Sequence, residues 1–500
     1  MSNSSKQIKL GAVISYLSIG FNIIAGLIYT PWMINSIGKD QYALYTLAIS
    51  VINIFLLDFG ISSAVSKFLA NYYAKGEQEE ADRFMGIVFK VFFIISAIIA
   101  VALFIFYFLI DSVYVKLSPS ELSVFKILFI IVASYSVISF PCMPFTGVLM
   151  ANERFIEVKL LKLFHKIFEV SLIITFLLLG LGVYSLVLVH AVSSVLFHLI
   201  RYLIIKKKTD QKAELRAWDK KQARDLFGYS VWVTIMSLAQ RCIFNIMPTI
   251  IAALIGSVEV AFFSLASTIE GYVYTFADAI NGMFLPKISR ILVGEDSENR
   301  LNSLLIKVAK FHIYTIGLVT ICFIMLGQNF VQLWLGSGYE KVYICAVLLI
   351  LPSLIELPQQ VAKTALLAKD IVKQQAIIYI LMAVINIAVS LVLIPQLGAI
   401  GAAAAIFVSY MFRTAACNYL YKKHLNIKIG AYFKSAYLGW LPAAIITLVS
   451  GIFINRLFAQ VNFINFILSV FCMAVVYFII IFFTDLDKEF RNKILKRLKL

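Results

Sequence analysis

The sequence predicts an all-α integral membrane protein with fourteen transmembrane helices, in two pseudo-symmetric six-helix lobes plus two C-terminal helices. Three observations predict it. The 500 residues are 61% hydrophobic and 14% charged, with a mean hydropathy of +0.91; a soluble protein carries about 25% charged residues. Apolar runs long enough to cross a bilayer recur from end to end. Short matching stretches recur in the same order in the two halves of the chain.

The first six apolar segments fall near 9–33, 41–64, 85–110, 121–150, 157–180 and 183–205. The next six fall near 227–256, 258–286, 303–326, 340–368, 373–395 and 398–421, and the last two near 432–455 and 462–484. The first run follows lysines as a signal peptide does, but it is too long and lacks a small-x-small cleavage site, so it is read as a span. With a cytoplasmic N-terminus, about 38 of the 44 Lys and Arg fall on the inner side. About five fall outside (Lys39, Lys116, Lys126, Lys341, Arg456), leaving Arg241 at depth. This asymmetry is the positive-inside pattern, and it accounts for the net charge of +17 without nucleic acid as a partner. Both termini are thereby expected on the cytoplasmic side of the membrane.

The loop KKKTDQKAELRAWDKKQARDL (206–226) separates the two copies of the repeat. IGKDQYALYTLA (37–48) matches IGSVEVAFFSLA (255–266), LMANE (149–153) matches LLAKD (366–370), and GVYSLVLVHAVS (182–193) matches GAIGAAAAIFVS (398–409). The offsets nearly agree, which makes a parallel six-helix repeat, because an even number of spans returns the chain to the same side. The expected organisation is an N-lobe at 1–205, a basic linker at 206–226, a C-lobe at 227–424, and two further helices with a basic tail at 425–500. The two lobes are expected to face each other across a central cleft.

Polar groups inside the spans are the candidates for function, since their desolvation must be offset. On the seventh segment Ser237, Arg241 and Asn245 share a helix face by their i, i+4, i+8 spacing, with Gln240 beside them. Asn22 is the repeat equivalent of Gln240. The fourth and tenth segments are interrupted by proline pairs, Pro141 with Pro144 and Pro352 with Pro358. Each proline removes a backbone donor, and matched interruptions in two repeats point to a substrate site. Glu356, Gln359, Gln360 and Lys363 line one face of the tenth segment, and Glu270, Tyr274, Asp278 and Asn281 one face of the eighth. Asp58 lies near the inner end of the second, and His165 and Glu169 are i, i+4 on the fifth. Arg241, Asn245, Gln240, Asn22, Ser237, Lys363, Gln359 and Gln360 are the expected contacts of a polar headgroup. Asp58, Glu270, Asp278, Glu356 and Glu169 are the expected ion-coupling or polar network. Interhelical hydrogen bonding between packed helices is the plainer role for any of them.

Searches for chemistry end without a motif. There is no GxxxxGK[ST], HExxH, GxSxG or paired-cysteine pattern, so no ATP site, no cofactor and no metal is expected. The six cysteines mostly sit in apolar runs and read as small fillers. The protein is not expected to be an enzyme.

Taken together, IGKDQYALYTLAIS, LLDFGISSAVSKFLANYYAKG, GVLMANERF, FGYSVWVTIMSLAQRCIFNIMPTIIAALIG, FLPKISRIL and IPQLGAIGAAAAIFVS resemble the polysaccharide flippase branch of the multidrug/oligosaccharidyl-lipid/polysaccharide (MOP) exporter superfamily. The resemblance covers almost the whole chain. It implies two lobes in a V shape, alternating access, and an undecaprenyl-diphosphate-linked oligosaccharide as cargo, moved from the inner to the outer leaflet. It also implies the bilayer and glycan polymerases or glycosyltransferases as surroundings and partners. Cationic groups in the cleft serve the diphosphate in that family, and here Arg241, with Lys363 nearer the inner end, takes that place. An arginine suits a diphosphate because its planar fork stays charged and donates several hydrogen bonds. Other readings are a cation-coupled multidrug antiporter of the same fold, a membrane-embedded glycosyltransferase or polymerase, and a scramblase-like or structural protein.

Overall fold

The computed structural model describes residues 2–55, 61–216, 219–281, 288, 291–292, 296–369 and 371–485; side chains at 2–13, 15–16, 61–64, 220–221, 223–231, 233, 242 and 276–281 lie outside the description. Among the described residues the chain is helical, with no strand. In order the helices are α1 (Ser2–Ile37), α2 (Lys39–Phe55), α3 (Ile61–Lys75), α4 (Gln78–Val113), α5 (Pro119–Ser139), α6 (Pro144–Ala151), α7 (Phe155–Leu178), α8 (Gly182–Lys208), α9 (Lys220–Ile255) and α10 (Ser257–Asn281). Then come α11 (Ser297–Leu335), α12 (Glu340–Ile350), α13 (Ser353–Glu356), α14 (Gln360–Ala368), α15 (Val372–Leu397), α16 (Ala399–Leu425), α17 (Ile429–Tyr437), α18 (Leu441–Leu457) and α19 (Phe463–Thr484).

Ten of these elements are long and apolar enough to cross a membrane, or eleven if the bent pair α17–α18 is one span. The expected fourteen is not reached on length and apolarity alone. The three segments outside that set are α2 with α3, α7, and α10, all helical where described. α2 and α3 are short, at 17 and 15 residues, and charge dilutes the others: α7 carries Glu157, Lys159, Lys162, Lys166 and Glu169, and α10 carries Glu259, Glu270 and Asp278. Large apolar side chains stand exposed along α4, with Ile98 at 62% and Phe104 at 66%, a surface that only lipid covers at low cost.

Local chemistry sets the helix ends. Ser118 caps α5 in a reciprocal box with Glu121, and Pro119 follows at a position where its missing N–H costs nothing. The proline-marked interruptions are real. α5 stops at Ser139, a 3-10 turn runs over Phe140–Cys142, and α6 restarts at Pro144. In the second half a 3-10 turn over Leu357–Gln359 separates α13 from α14. The repeat also leaves a backbone signature. Gly38 and Gly256 have φ of 83° and 103°, and Gly182 and Gly398 have φ of 64° and 63°. Both pairs sit at matching repeat positions, and the left-handed region there favours glycine.

By internal contact the chain forms two units, Met1–Ser264 with Tyr379–Gly398, and Leu265–Ile378 with Ala399–Leu500. In the first, α1 packs on α7, α2 on α5 and α9, α3 on α6, and α8 on both α5 and α7. In the second, α11 is the central helix, carrying α12, α14, α17, α18 and α19, while α16 packs on α12 and α14. Its core includes Ile313, Leu326, Trp440, Met473 and Tyr477. Gly317 lets the last helices close on α11: a Cβ there would lie 2.9 Å from the Trp440 ring and from the Tyr477 hydroxyl. Trp440 Nε1 donates to Tyr477 Oη at 2.7 Å, and Tyr477 in turn donates to the Ile313 carbonyl at 3.2 Å.

Candidate functional site

The second unit holds a buried ionic cluster built where the helix is broken. Glu356 ends α13 just before the 3-10 turn, and Lys363 follows one turn into α14. Glu356 receives a hydrogen bond from Tyr274 Oη on α10 at 2.7 Å. The guanidinium of Arg413 on α16 contacts the same carboxylate, and Lys363 Nζ lies 3.8 Å from its other oxygen. Arg413 is 2% exposed and its guanidinium stacks 4.0 Å over the Tyr410 ring. Beside them Gln359, 3% exposed, donates to Asn418 Oδ1 at 2.9 Å. Arg413 and Lys363 thus share the Glu356 carboxylate. A dry carboxylate is tolerated only when paired and hydrogen-bonded, and here it has both a guanidinium and a phenol. The stacked arene also lowers the cost of burying the guanidinium.

The first unit holds a second cluster. Glu169 on α7 is 8% exposed; Lys166 lies 3.3 Å from one oxygen and His190 Nδ1 on α8 lies 2.9 Å from the other. His165 lies 3.2 Å from Ser193 Oγ and stacks on Phe197 at 4.7 Å. The expected i, i+4 pairing of His165 with Glu169 is therefore replaced. Both lie on α7, but α8 supplies His190, which meets the carboxylate with better geometry than the neighbouring turn offers. Tyr135 on α5 packs edge-on to His190, with ring centroids 5.3 Å apart.

The other expected residues are placed as follows. Arg241 is exposed on α9, and Asn245 Nδ2 donates to its carbonyl at 3.1 Å. Ser237, Gln240 and Asn245 are half-buried on α9 and Asn22 is half-buried on α1, all in the first unit. Lys363 and Gln360 are half-buried in the second unit. Glu270 is 8% exposed, one turn before Tyr274 on α10. Asp58 lies outside the described residues, and Asp278 is described only as part of α10. Of the expected set, the structure joins Glu356 to Lys363 directly.

Two participants were missed by sequence reasoning. Arg413 sits in FVSYMFRTAACNYL, inside the twelfth apolar segment, and was counted with the inner-side cations. The signal was the one that singled out Arg241, a lone guanidinium well inside an apolar run. His190 carried no such signal, because a single histidine on a membrane helix is usually a packed polar group. Among the described residues no group of His, Cys, Asp and Glu suits a metal ion. The described cysteines Cys142, Cys322, Cys345, Cys417 and Cys472 are free thiols.

Comparison with known proteins follows this geometry. Residues 9–292 match the family model described as polysaccharide biosynthesis protein, and the chain belongs to that family. No curated relative matches the sequence. The fold is shared with several solved transporters. It is similar to the lipid II flippase MurJ in an inward closed conformation, at 16% identity and TM-score 0.69, over 96% of this chain and 98% of that one. It is also similar to an inward-facing multidrug resistance MATE family transporter, at 16% identity and TM-score 0.67, over 83% of this chain and 98% of that one. A MOP superfamily transporter from Pyrococcus furiosus, described as having a binding pocket of reversed polarity, aligns at 15% identity and TM-score 0.61, over 85% and 96% of the two chains.

Proposed function

We propose that this member of the polysaccharide biosynthesis family is a flippase for undecaprenyl-diphosphate-linked oligosaccharide. It would carry a surface-polysaccharide repeat unit from the inner to the outer leaflet of the bacterial cytoplasmic membrane by alternating access, without covalent change to the cargo. The observation that carries this reading is the pair of cations, Arg413 and Lys363, gathered at the helix break. Glu356 already has Arg413 as a counter-ion, and Lys363 adds a second cation whose side chain is 22% exposed. A guanidinium and an ammonium at a helix break offer a diphosphate two cationic partners. In the first unit Arg241 suits a phosphate and Asn245, Gln240, Asn22 and Ser237 suit sugar hydroxyls; in the second unit Gln359 and Gln360 do.

The physical task fits the fold. The polyprenyl tail can stay in lipid, whereas the diphosphate and sugars cannot cross hydrocarbon without polar partners. The proposed organisation is an N-lobe at 1–205, a linker at 206–226, a C-lobe at 227–424 and added helices at 425–500. Alignment over 96% of the chain with the lipid II flippase supports this reading. The basic linker supports an inner-side placement of both termini. Glycan polymerases and glycosyltransferases are the natural partners of such a cargo.

The test is reconstitution of the purified chain into vesicles loaded with a fluorescent undecaprenyl-diphosphate-linked sugar. Protein-dependent transfer, read by exposure of the sugar to an added lectin, is the expected outcome. Vesicles that move no glycolipid but accumulate a cationic dye under an ion gradient would replace this reading with the multidrug antiporter.

A further inference from the structure

We propose that the first unit carries a separate binding site for an anionic phospholipid, roofed by the basic linker. The linker is built onto the unit. Thr209 Oγ1 donates to the Ile205 carbonyl at 2.8 Å as α8 ends. The chain then turns across the first turns of α4, where Asp82 Oδ1 accepts from Gln211 Nε2 at 2.7 Å and from the Lys212 N–H at 2.9 Å. The Glu214 N–H donates to the Asp82 carbonyl at 3.0 Å. Gly86 makes the approach possible, because a Cβ there would lie 2.1 Å from the Glu214 carbonyl oxygen.

Under this roof lies a cavity of about 750 Å³, with Lys206 and Lys212 at its polar end and Phe89, Val148, Phe145 and Tyr202 below. A second cavity of about 240 Å³ shares Phe145 and Tyr202 and runs on between Ile138, Val195 and Leu199. Its mouth is apolar and exposed, with Ile138 at 61% and Leu199 at 52%. Its floor at His198 is eight residues from Lys206 on the same helix, or about 12 Å along the axis. A chamber with cations at its rim and an apolar slot about 12 Å deeper has the proportions of a lipid head and the start of an acyl chain.

Charge argues for an anionic head. Two acids, Asp82 and Asp210, line the larger cavity with the two lysines. The Asp82 carboxylate oxygen that faces the linker already holds Gln211, Lys212 N–H and Gln78 Nε2. Arg201 tips the balance. It lines neither cavity but donates to His198 Nδ1 at 3.3 Å beside the smaller one, and among the described residues no carboxylate forms an ion pair with it. A half-buried guanidinium on a membrane-spanning helix favours an anion as its partner. None of these residues belongs to the headgroup set proposed for the transported cargo.

The experiment is native mass spectrometry of the full chain released from detergent with added dioleoylphosphatidylglycerol or dioleoylphosphatidylcholine. The wild type should retain the anionic lipid about tenfold better than the zwitterionic one, a ratio that near-surface cations readily supply. The double variant Arg201→Gln/Lys206→Gln should lose that preference. Leu199→Trp, a change on the exposed mouth, should lower retention of both lipids by filling the slot, and it tests the site independently if the charge variant misfolds. Equal retention of the two lipids by the wild type would overturn the proposal. So would a preference that both variants keep, or displacement of the lipid by glycerol 3-phosphate as effectively as by the intact phospholipid, since that would make the site one for a free phosphate.

Discussion

Arg413 meets Glu356 inside the second unit, with the guanidinium 2% exposed and the carboxylate side chain 10% exposed. One partner lies on α16 and the other at the end of α13, so the pair ties a continuous helix to a broken one. Such a pair is weak evidence for stability by itself, because both ions lost their water to form it. Its value lies in what happens when it is split.

Arg413→Ala leaves Glu356 with Lys363 and Tyr274 and a cavity where the guanidinium lay. It should destabilise the protein by about 3–5 kcal/mol. Glu356→Gln/Arg413→Met, which removes both charges but keeps an acceptor for Tyr274, should recover most of that loss. Thermal unfolding in detergent reads the difference; a double variant less stable than Arg413→Ala would mean the pair is not the source of the cost.

Lys363→Gln should act on transport and leave the fold intact. Its side chain is the more accessible cation of the cluster and is not needed to neutralise Glu356. Losing one charge-assisted contact to a diphosphate should slow glycolipid transfer at least about tenfold, with the melting temperature unchanged. Arg241→Ala should abolish surface polysaccharide at normal protein level. Full activity in both variants would remove them from the headgroup site.

Gly317→Ala forces a methyl group into the Trp440 ring and the Tyr477 hydroxyl. Overpacking of that kind should cost about 1–3 kcal/mol. Trp440→Phe in the same background relieves the clash at the price of the bond to Tyr477, and should restore part of the stability. Unfolding of the two variants side by side checks this.

The linker clamp should be visible to a protease. Asp82→Ala removes the acceptor of Gln211 and Lys212, and Gly86→Ala pushes Glu214 away. Each loss of about 1–2 kcal/mol raises the open population about 5- to 30-fold. Tryptic cleavage after Lys212 and Arg216 should speed up accordingly. Cleavage rates equal to wild type in both would show that the linker is not held there.

Hydropathy along the chain was enough to determine that this is a helical membrane protein, where most spans lie, and that two of them break at Pro141/Pro144 and Pro352/Pro358. These are local properties: apolar length, proline's missing donor, and glycine's freedom at Gly38 and Gly256 act within a few residues. The charge-diluted segments α7 and α10 were legible as helices but fall short of a span by composition, because their polar groups are offset by neighbours the sequence does not reveal. Partnership was decided only in three dimensions. Glu356 could be placed at depth from the sequence, but Arg413, 57 positions on, becomes its counter-ion only through the rotation of α16 against the break. Glu169 takes His190 rather than His165, and Asp82 takes a linker some 130 residues away. A buried charge must find some partner, which the sequence implies; which one it finds depends on helix packing, which sets the distances.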